Sequence, residues 1–169
     1  MAALPNSTLV SVEEYLNTSY DPDVEYVDGV LVERNVGDWL HSTVQGNVGS
    51  TLKVRFRHLK IATGLRSQTR ETRFRLPDVC AVLAAPESAY LSEAAYLVVE
   101  ILSKDDRMSE VLEKLDEYSR KGVANIWLFD PRRKGMFVYR NGILAAVVED
   151  TIRTEDGEVW LSRAEIFEE

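Results

Sequence analysis

The sequence predicts an α/β fold on three observations. Helix-period and strand-length apolar runs alternate along the chain, two of the strand-length runs each carry an acid, and two β-rich segments turn about dipeptides that tolerate positive φ. The 169 residues, 45% hydrophobic, suit one compact domain over 1–169 and leave little room for two. There is no internal repeat, low-complexity tract or flexible linker.

Ser11-Val12-Glu13-Glu14 reads as a capping box that opens a short helix toward Asn17. Val24 to Glu33, turning at Asp28-Gly29, is an N-terminal hairpin. Leu40, Val44, Val48, Leu52 and Phe56 recur every four residues, which places a long helix over roughly Asp38 to Arg57. Ile61 to Arg75, rich in charge, is expected as an extended ribbon. Asp78 to Leu83 and Tyr96 to Leu102 have the length and continuous apolar character of buried strands. The connection through Pro86, Glu87 and Ser88 is a loop with room for one helical turn.

Asp105 and Asp106 supply acids for the start of a second long helix. Met108, Val111, Leu112, Leu115 and Tyr118 form its apolar stripe, and Lys121-Gly122 closes it. Asn125 to Asp130 is a strand stopped by Pro131. Met136 to Val148, turning at Asn141-Gly142, is a C-terminal hairpin. Ser162 to Glu165 predicts a last capped turn.

Composition narrows the function. Cys80 is the only cysteine, so no internal disulfide is possible. No segment approaches a membrane span, and Met1 to Val10 lacks the features of a leader, so the expectation is a soluble, cytoplasmic protein. A net charge of -8 argues against a nucleic-acid ligand, yet it hides segregation. Lys53, Arg55, Arg57, Lys60, Arg66, Arg70, Arg73 and Arg75 face only Glu71 between Thr51 and Arg75, whereas Glu149 to Glu169 is strongly acidic. Such a field can receive a polyanion, or be an ordinary solvated surface. A Gly-rich phosphate loop, a Cys/His ligand pair and a Gly-x-Ser-x-Gly elbow are all missing.

The chemistry rests on Asp78, which opens a strand after Pro77, and Glu100, which lies inside Tyr96 to Leu102. Burying a lone charge costs several kcal/mol and calls for a basic partner, a raised pKa or a metal. If the two strands pair with Asp78 opposite Glu100, both acids can ligate one Mg²⁺ that keeps several waters. Leu102 takes the place on that strand face where a lysine would help. A helix returning from Asp106 reaches Lys114 after ~12 Å, while Glu100 lies ~10 Å back along its strand, so Lys114 comes level with the acids.

Plainer readings stand beside each of these. Lys114 could be a surface lysine paired with Glu110 or Glu117. Glu100 could be held by an arginine such as Arg75, Asp78 could be a turn residue, and His41 could be a satisfied core histidine. Glu25, Gln68 and Glu71 are polar groups of unknown facing and rank below these.

Taken together, Val24 to Val32, Arg75-Leu76-Pro77-Asp78-Val79, Leu97 to Ser103 and Glu113-Lys114-Leu115 resemble the Uma-two family of bacterial restriction-endonuclease-like proteins. The resemblance continues through Ile126 to Pro131 and Val138-Tyr139, covering roughly Glu13 to Val148. It implies a restriction-endonuclease-like mixed central sheet flanked by helices, with added N- and C-terminal hairpins. It matches Asp78 and Glu100 to the metal-binding acids of the PD-(D/E)XK pattern, Lys114 to a lysine relocated onto the following helix, and His41 to a family histidine. The implied activity is that of a Mg²⁺-dependent endodeoxyribonuclease, with Mn²⁺ as a substitute, DNA as partner and a homodimer suited to cutting two strands. The alternative is an inactive nuclease-fold module that binds DNA or a protein partner.

Overall fold

Five consecutive residues of the Glu100 strand, Leu97–Ile101, are buried, so this strand must have a neighbour on both sides and a layer on both faces. The computed structural model describes residues 8–168 and supplies both; Met1 to Ser7, read above for a leader, lie outside them. In chain order the elements are α1 (Val12–Asn17), β1 (Glu25–Val27), β2 (Val30–Val32), α2 (Trp39–Arg55), β3 (Lys60–Ala62), β4 (Ser67–Arg70), β5 (Arg73–Arg75) and β6 (Val79–Val82). They continue with β7 (Leu97–Ile101), α3 (Met108–Lys121), β8 (Asn125–Asp130), β9 (Gly135–Arg140), β10 (Ile143–Ala146), β11 (Thr151–Arg153), β12 (Trp160–Ser162) and α4 (Arg163–Phe167).

The central sheet runs β10-β9-β8-β7-β6-β3. It is mixed: β7 and β8, joined through α3, are parallel, and every other neighbouring pair is antiparallel. Alternation along β7 sorts its side chains to two layers. Leu97, Val99 and Ile101 join Val44, Val48 and Leu52 of α2, with Ile166 and Phe167 of α4, in one core. Val98, with Cys80 and Val82 of β6, packs against Val111, Leu115 and Tyr118 of α3 in the other. Asp78 and Glu100 have the parity of Cys80 and Val98, so they belong to the α3 layer.

The hairpins differ in where they go. The N-terminal one, with Asp28 at φ 49° and Gly29 at φ 92°, joins a second sheet of order β2-β1-β5-β4. That sheet has its own core of Tyr15, Val24, Tyr26 and Phe74. The C-terminal one widens the central sheet, turning at Asn141 and Gly142 with φ 51° and 79° as a type I′ pair requires.

The expected ribbon of Ile61 to Arg75 is divided. Its first strand, β3, is an edge of the central sheet, and β4-β5 form a bulged hairpin in the other. No helical turn forms in the loop between β6 and β7. The acidic tail contains a two-stranded unit, β11-β12, whose Ile152, Val159 and Leu161 are buried against the α2 layer; its charges masked that burial in the sequence.

Helix starts show which local signals decided. Ser11 accepts from the Glu14 amide at 3.1 Å, and Ser162 with Glu165 forms a reciprocal capping box before α4. For α3 the acids at 105 and 106, expected at the helix start, fall just before it: the N-cap is Arg107, without a side-chain hydrogen bond, and the acid of the first turn is Glu110. Asp106 instead accepts from the Ser103 amide at 2.7 Å and from Asn35 Nδ2 at 2.6 Å, tying the β7-α3 connection to the segment after β2. At its far end α3 stops as expected, on Gly122 at φ 100°. No helix among the described residues is long and apolar enough to cross a membrane.

Candidate active site

The pairing of β6 with β7 sets Val79 opposite Val99 and Cys80 opposite Val98. One further step of that register brings Asp78 beside Glu100, the juxtaposition the sequence argument needed. Both acids are buried, and both line one small cavity of about 30 Å³ together with Arg34, His41, Leu102 and Lys114. Such a volume admits about two water-sized occupants.

Asp78 gathers donors from three directions. Its Oδ1 takes Arg34 Nη2 at 2.5 Å, and its Oδ2 takes the Ile101 amide at 2.8 Å and lies 3.3 Å from His41 Nε2. Gln45 Nε2 donates to the Asp78 backbone carbonyl at 2.9 Å. Burial pushes this carboxyl up, but the His41 hydrogen bond and the Arg34 charge outweigh it and hold Asp78 below the usual value. His41 gains from the same contact: burial works against the imidazolium, and the bond to Asp78 prevails, raising its pKa.

Glu100 receives Tyr118 Oη on Oε1 at 2.7 Å and Lys114 Nζ on Oε2 at 3.1 Å. Burial pushes its carboxyl up; Lys114 pulls it down, Asp78 pushes it up again, and the balance is about 7. The two acids on adjacent strands are thus set apart by their surroundings, one held ionised and the other reluctant to ionise.

Lys114 is buried, so the surface-lysine reading fails. Its Nζ lies 3.0 Å from Glu25 Oε1 as well as 3.1 Å from Glu100, and neither Glu110 nor Glu117 is its partner in these contacts. Burial disfavours the charged ammonium, but Glu100 and then Glu25 overcome it and raise the pKa. Glu25 is completely buried and also accepts from Arg75 Nη1 at 3.0 Å and the Leu76 amide at 3.2 Å. Arg75, the sequence's alternative partner for Glu100, is committed to Glu25 and to Glu117, the latter through two bonds of 2.9 and 2.7 Å.

The predicted residues Asp78, Glu100, Lys114 and His41 therefore come together. Gln68 and Glu71 do not: Gln68 Nε2 donates to the Glu71 carbonyl at 3.4 Å near the surface, and neither residue lines the cavity. Glu25, ranked low in the sequence, is a buried partner of Lys114. Two contributors were missed. Tyr118 had a signal, since it lies one helical turn beyond Lys114 on the same face. Arg34 had none, because it lies far along the chain from Asp78 in an irregular stretch after β2.

Half of the basic stretch is paired with acids of the chain itself. Arg55 pairs with Glu165, Arg66 with Asp23 at 2.6 Å, Arg73 with Asp28, Glu113 and Glu117, and Arg75 as above. Lys53, Arg57, Lys60 and Arg70 remain exposed.

The mixed sheet flanked by helices is a restriction-endonuclease-like fold. The chain belongs to the Uma2 family, described as "Putative restriction endonuclease", whose model matches residues 12–166. It is similar to a solved structure from Anabaena variabilis, titled as a "putative nuclease belonging to DUF820". That match has a TM-score of 0.79 and 21% identity, and it covers 94% of this chain and 97% of that one. A DrdV-DNA complex solved by electron cryomicroscopy matches at a TM-score of 0.35 and 10% identity over 75% of this chain and 87% of that one. No protein with a curated description matches the chain.

Proposed function

We propose that the protein is a Mg²⁺-dependent endodeoxyribonuclease, and the observation that carries this reading is the convergence of Asp78, Glu100 and Lys114 on one small cavity. The donor chemistry fits a hard divalent cation. Among the described residues no three His, Cys, Asp or Glu side chains form a metal cluster, and Mg²⁺ characteristically asks for less: one or two carboxylates plus waters. Asp78 and Glu100 would hold it, and Mn²⁺ would serve as a substitute. When bound, such an ion supplies a nucleophilic water at neutral pH and offsets charge building on a phosphoryl oxygen.

The chain's own residues take complementary parts. Lys114 keeps its proton under the pull of Glu100 and Glu25, so it serves as a fixed cation and hydrogen-bond donor that orients the attacking water, rather than as a base. Tyr118 fixes Glu100 Oε1 in place, and His41 holds Asp78 Oδ2. Leu102, beside the cavity, helps to keep bulk water out. DNA is the substrate that follows from the nuclease family, and a homodimer would suit cutting of both strands.

The test is incubation of the purified protein with plasmid DNA, with and without Mg²⁺, alongside Asp78→Asn. Cleavage that needs both the cation and Asp78 is expected. Cleavage without cation, or undiminished in the variant, counts against the assignment.

One observation favours a second reading, an inactive scaffold that binds DNA or a protein partner: every carboxylate oxygen of the pair already has an internal polar partner. That reading predicts DNA binding that survives loss of both acids and no heat on adding Mg²⁺. The internal pairing of Arg55, Arg66, Arg73 and Arg75 weighs against it, since it leaves only Lys53, Arg57, Lys60 and Arg70 of the Lys53 to Arg75 surface for such a partner.

A further inference from the structure

Arg34 is placed where a cation would compete with it. It follows β2 in an irregular segment that contributes Arg34 and Asn35 to the cavity lining, its side chain keeps 28% of its exposure, and its Nη2 meets the 2%-exposed Asp78 at 2.5 Å. The next residue, Asn35, is anchored across the mouth to Asp106 at 2.6 Å. The segment is therefore held at the site while the Arg34 side chain stays partly exposed.

We infer that Arg34 is the site's resident counter-ion: it neutralises Asp78 while no metal is bound, yields that oxygen when a divalent cation enters, and is then free to bind a phosphodiester oxygen of DNA. The inference rests on the proposed function. A guanidinium and a divalent ion cannot both take the same carboxylate oxygen at close range without like-charge repulsion, so one must give way. Lys114 is buried between two acids, whereas the Arg34 side chain is 28% exposed against 10% for Lys114 and so has more room to move. Once released, its planar fork matches the paired oxygens of a phosphate. Arg34 then links two events, with DNA contact following cation entry.

The experiment measures binding, not turnover. Mg²⁺ is titrated calorimetrically into the full chain and into Arg34→Gln without DNA. A labelled duplex is then titrated into both proteins with Ca²⁺ and with no divalent ion. The expected results are Mg²⁺ binding about ten-fold tighter in Arg34→Gln, and a loss of DNA affinity in that variant that shows only with Ca²⁺ present. Arg34→Lys, which keeps a charge against Asp78, is expected to bind Mg²⁺ with intermediate affinity and serves if the glutamine variant does not fold. Mg²⁺ affinity equal to or weaker than wild type in a folded variant overturns the inference and leaves the proposed nuclease standing. Absence of Mg²⁺ binding to every form removes both.

Discussion

Lys114 Nζ stands 3.0 Å from Glu25 Oε1, so the β1 hairpin of the second sheet supplies a buried counter-charge to a helix packed on the first. Arg75 lies on the far side of Glu25 and continues the chain of charges to Glu117. A network of this kind is satisfied as a whole and fails as a whole.

Glu25→Gln is expected to leave Lys114 and Arg75 each short of a negative partner. Removing one member of a buried ion pair costs roughly 3–5 kcal/mol. Urea unfolding at neutral pH should register that loss, and DNA cleavage should fall with it because Lys114 loses its fixed position.

Lys114→Met removes the fixed cation from the cavity while keeping much of the side chain's volume. Cleavage should drop roughly 100-fold, the size of effect seen when one donor of a preorganised site is deleted. Leu102 lines the same cavity and has the parity of Glu100 along the strand. Adding Leu102→Lys to the methionine variant should therefore restore part of the lost rate in a plasmid assay. No recovery would argue against the relocated-lysine account.

Glu117 governs an acid-dependent part of stability. Burial pushes its carboxyl up, but hydrogen bonds and charge from Arg75, joined by Arg73 and Thr69, prevail and hold it at about 2, down from 4.5. A carboxylate lowered in this way stabilises the fold fully above 4.5, and the contribution disappears as pH falls toward 2. The loss is on the order of 3 kcal/mol for a shift of this size. Denaturant unfolding of the wild type should steepen across that range, and Glu117→Gln should flatten the dependence.

Leu115 is fully buried in the layer between α3 and the central sheet, next in sequence to Lys114. Leu115→Ala should cost about 3 kcal/mol through lost burial and the cavity it leaves. Its thermal midpoint is the measurement, and a near-neutral result would mean that this layer can collapse around the gap.

Much of the fold could be read locally. Asp28-Gly29 and Asn141-Gly142 announced their hairpins because type I′ turns need positive φ at both central residues. The four-residue recurrence of Val44, Val48 and Leu52 gave α2, and Gly122 gave the end of α3. The acid pair was legible too, since Glu100 stands in an apolar run that would otherwise exclude it. Asp105 and Asp106, read as acids for the start of α3, fall before it, and Asp106 serves a tertiary contact with Asn35 as well as its own loop. The pairing within the basic stretch was hidden because four of its arginines meet acids far along the chain.

The sequence by itself determined most of the helices and hairpins and singled out Asp78, Glu100 and Lys114 as candidates, because periodicity, turn chemistry and the cost of a lone buried charge act over a few neighbouring residues. Apart from Lys114 and Glu100, which cations meet which carboxylates was decided only by the tertiary structure. Ion pairing depends on separations of a few ångströms, and packing two sheets and a helix together brought Arg34 to Asp78 and Glu25 to Lys114 across stretches of chain that carry no mark of it.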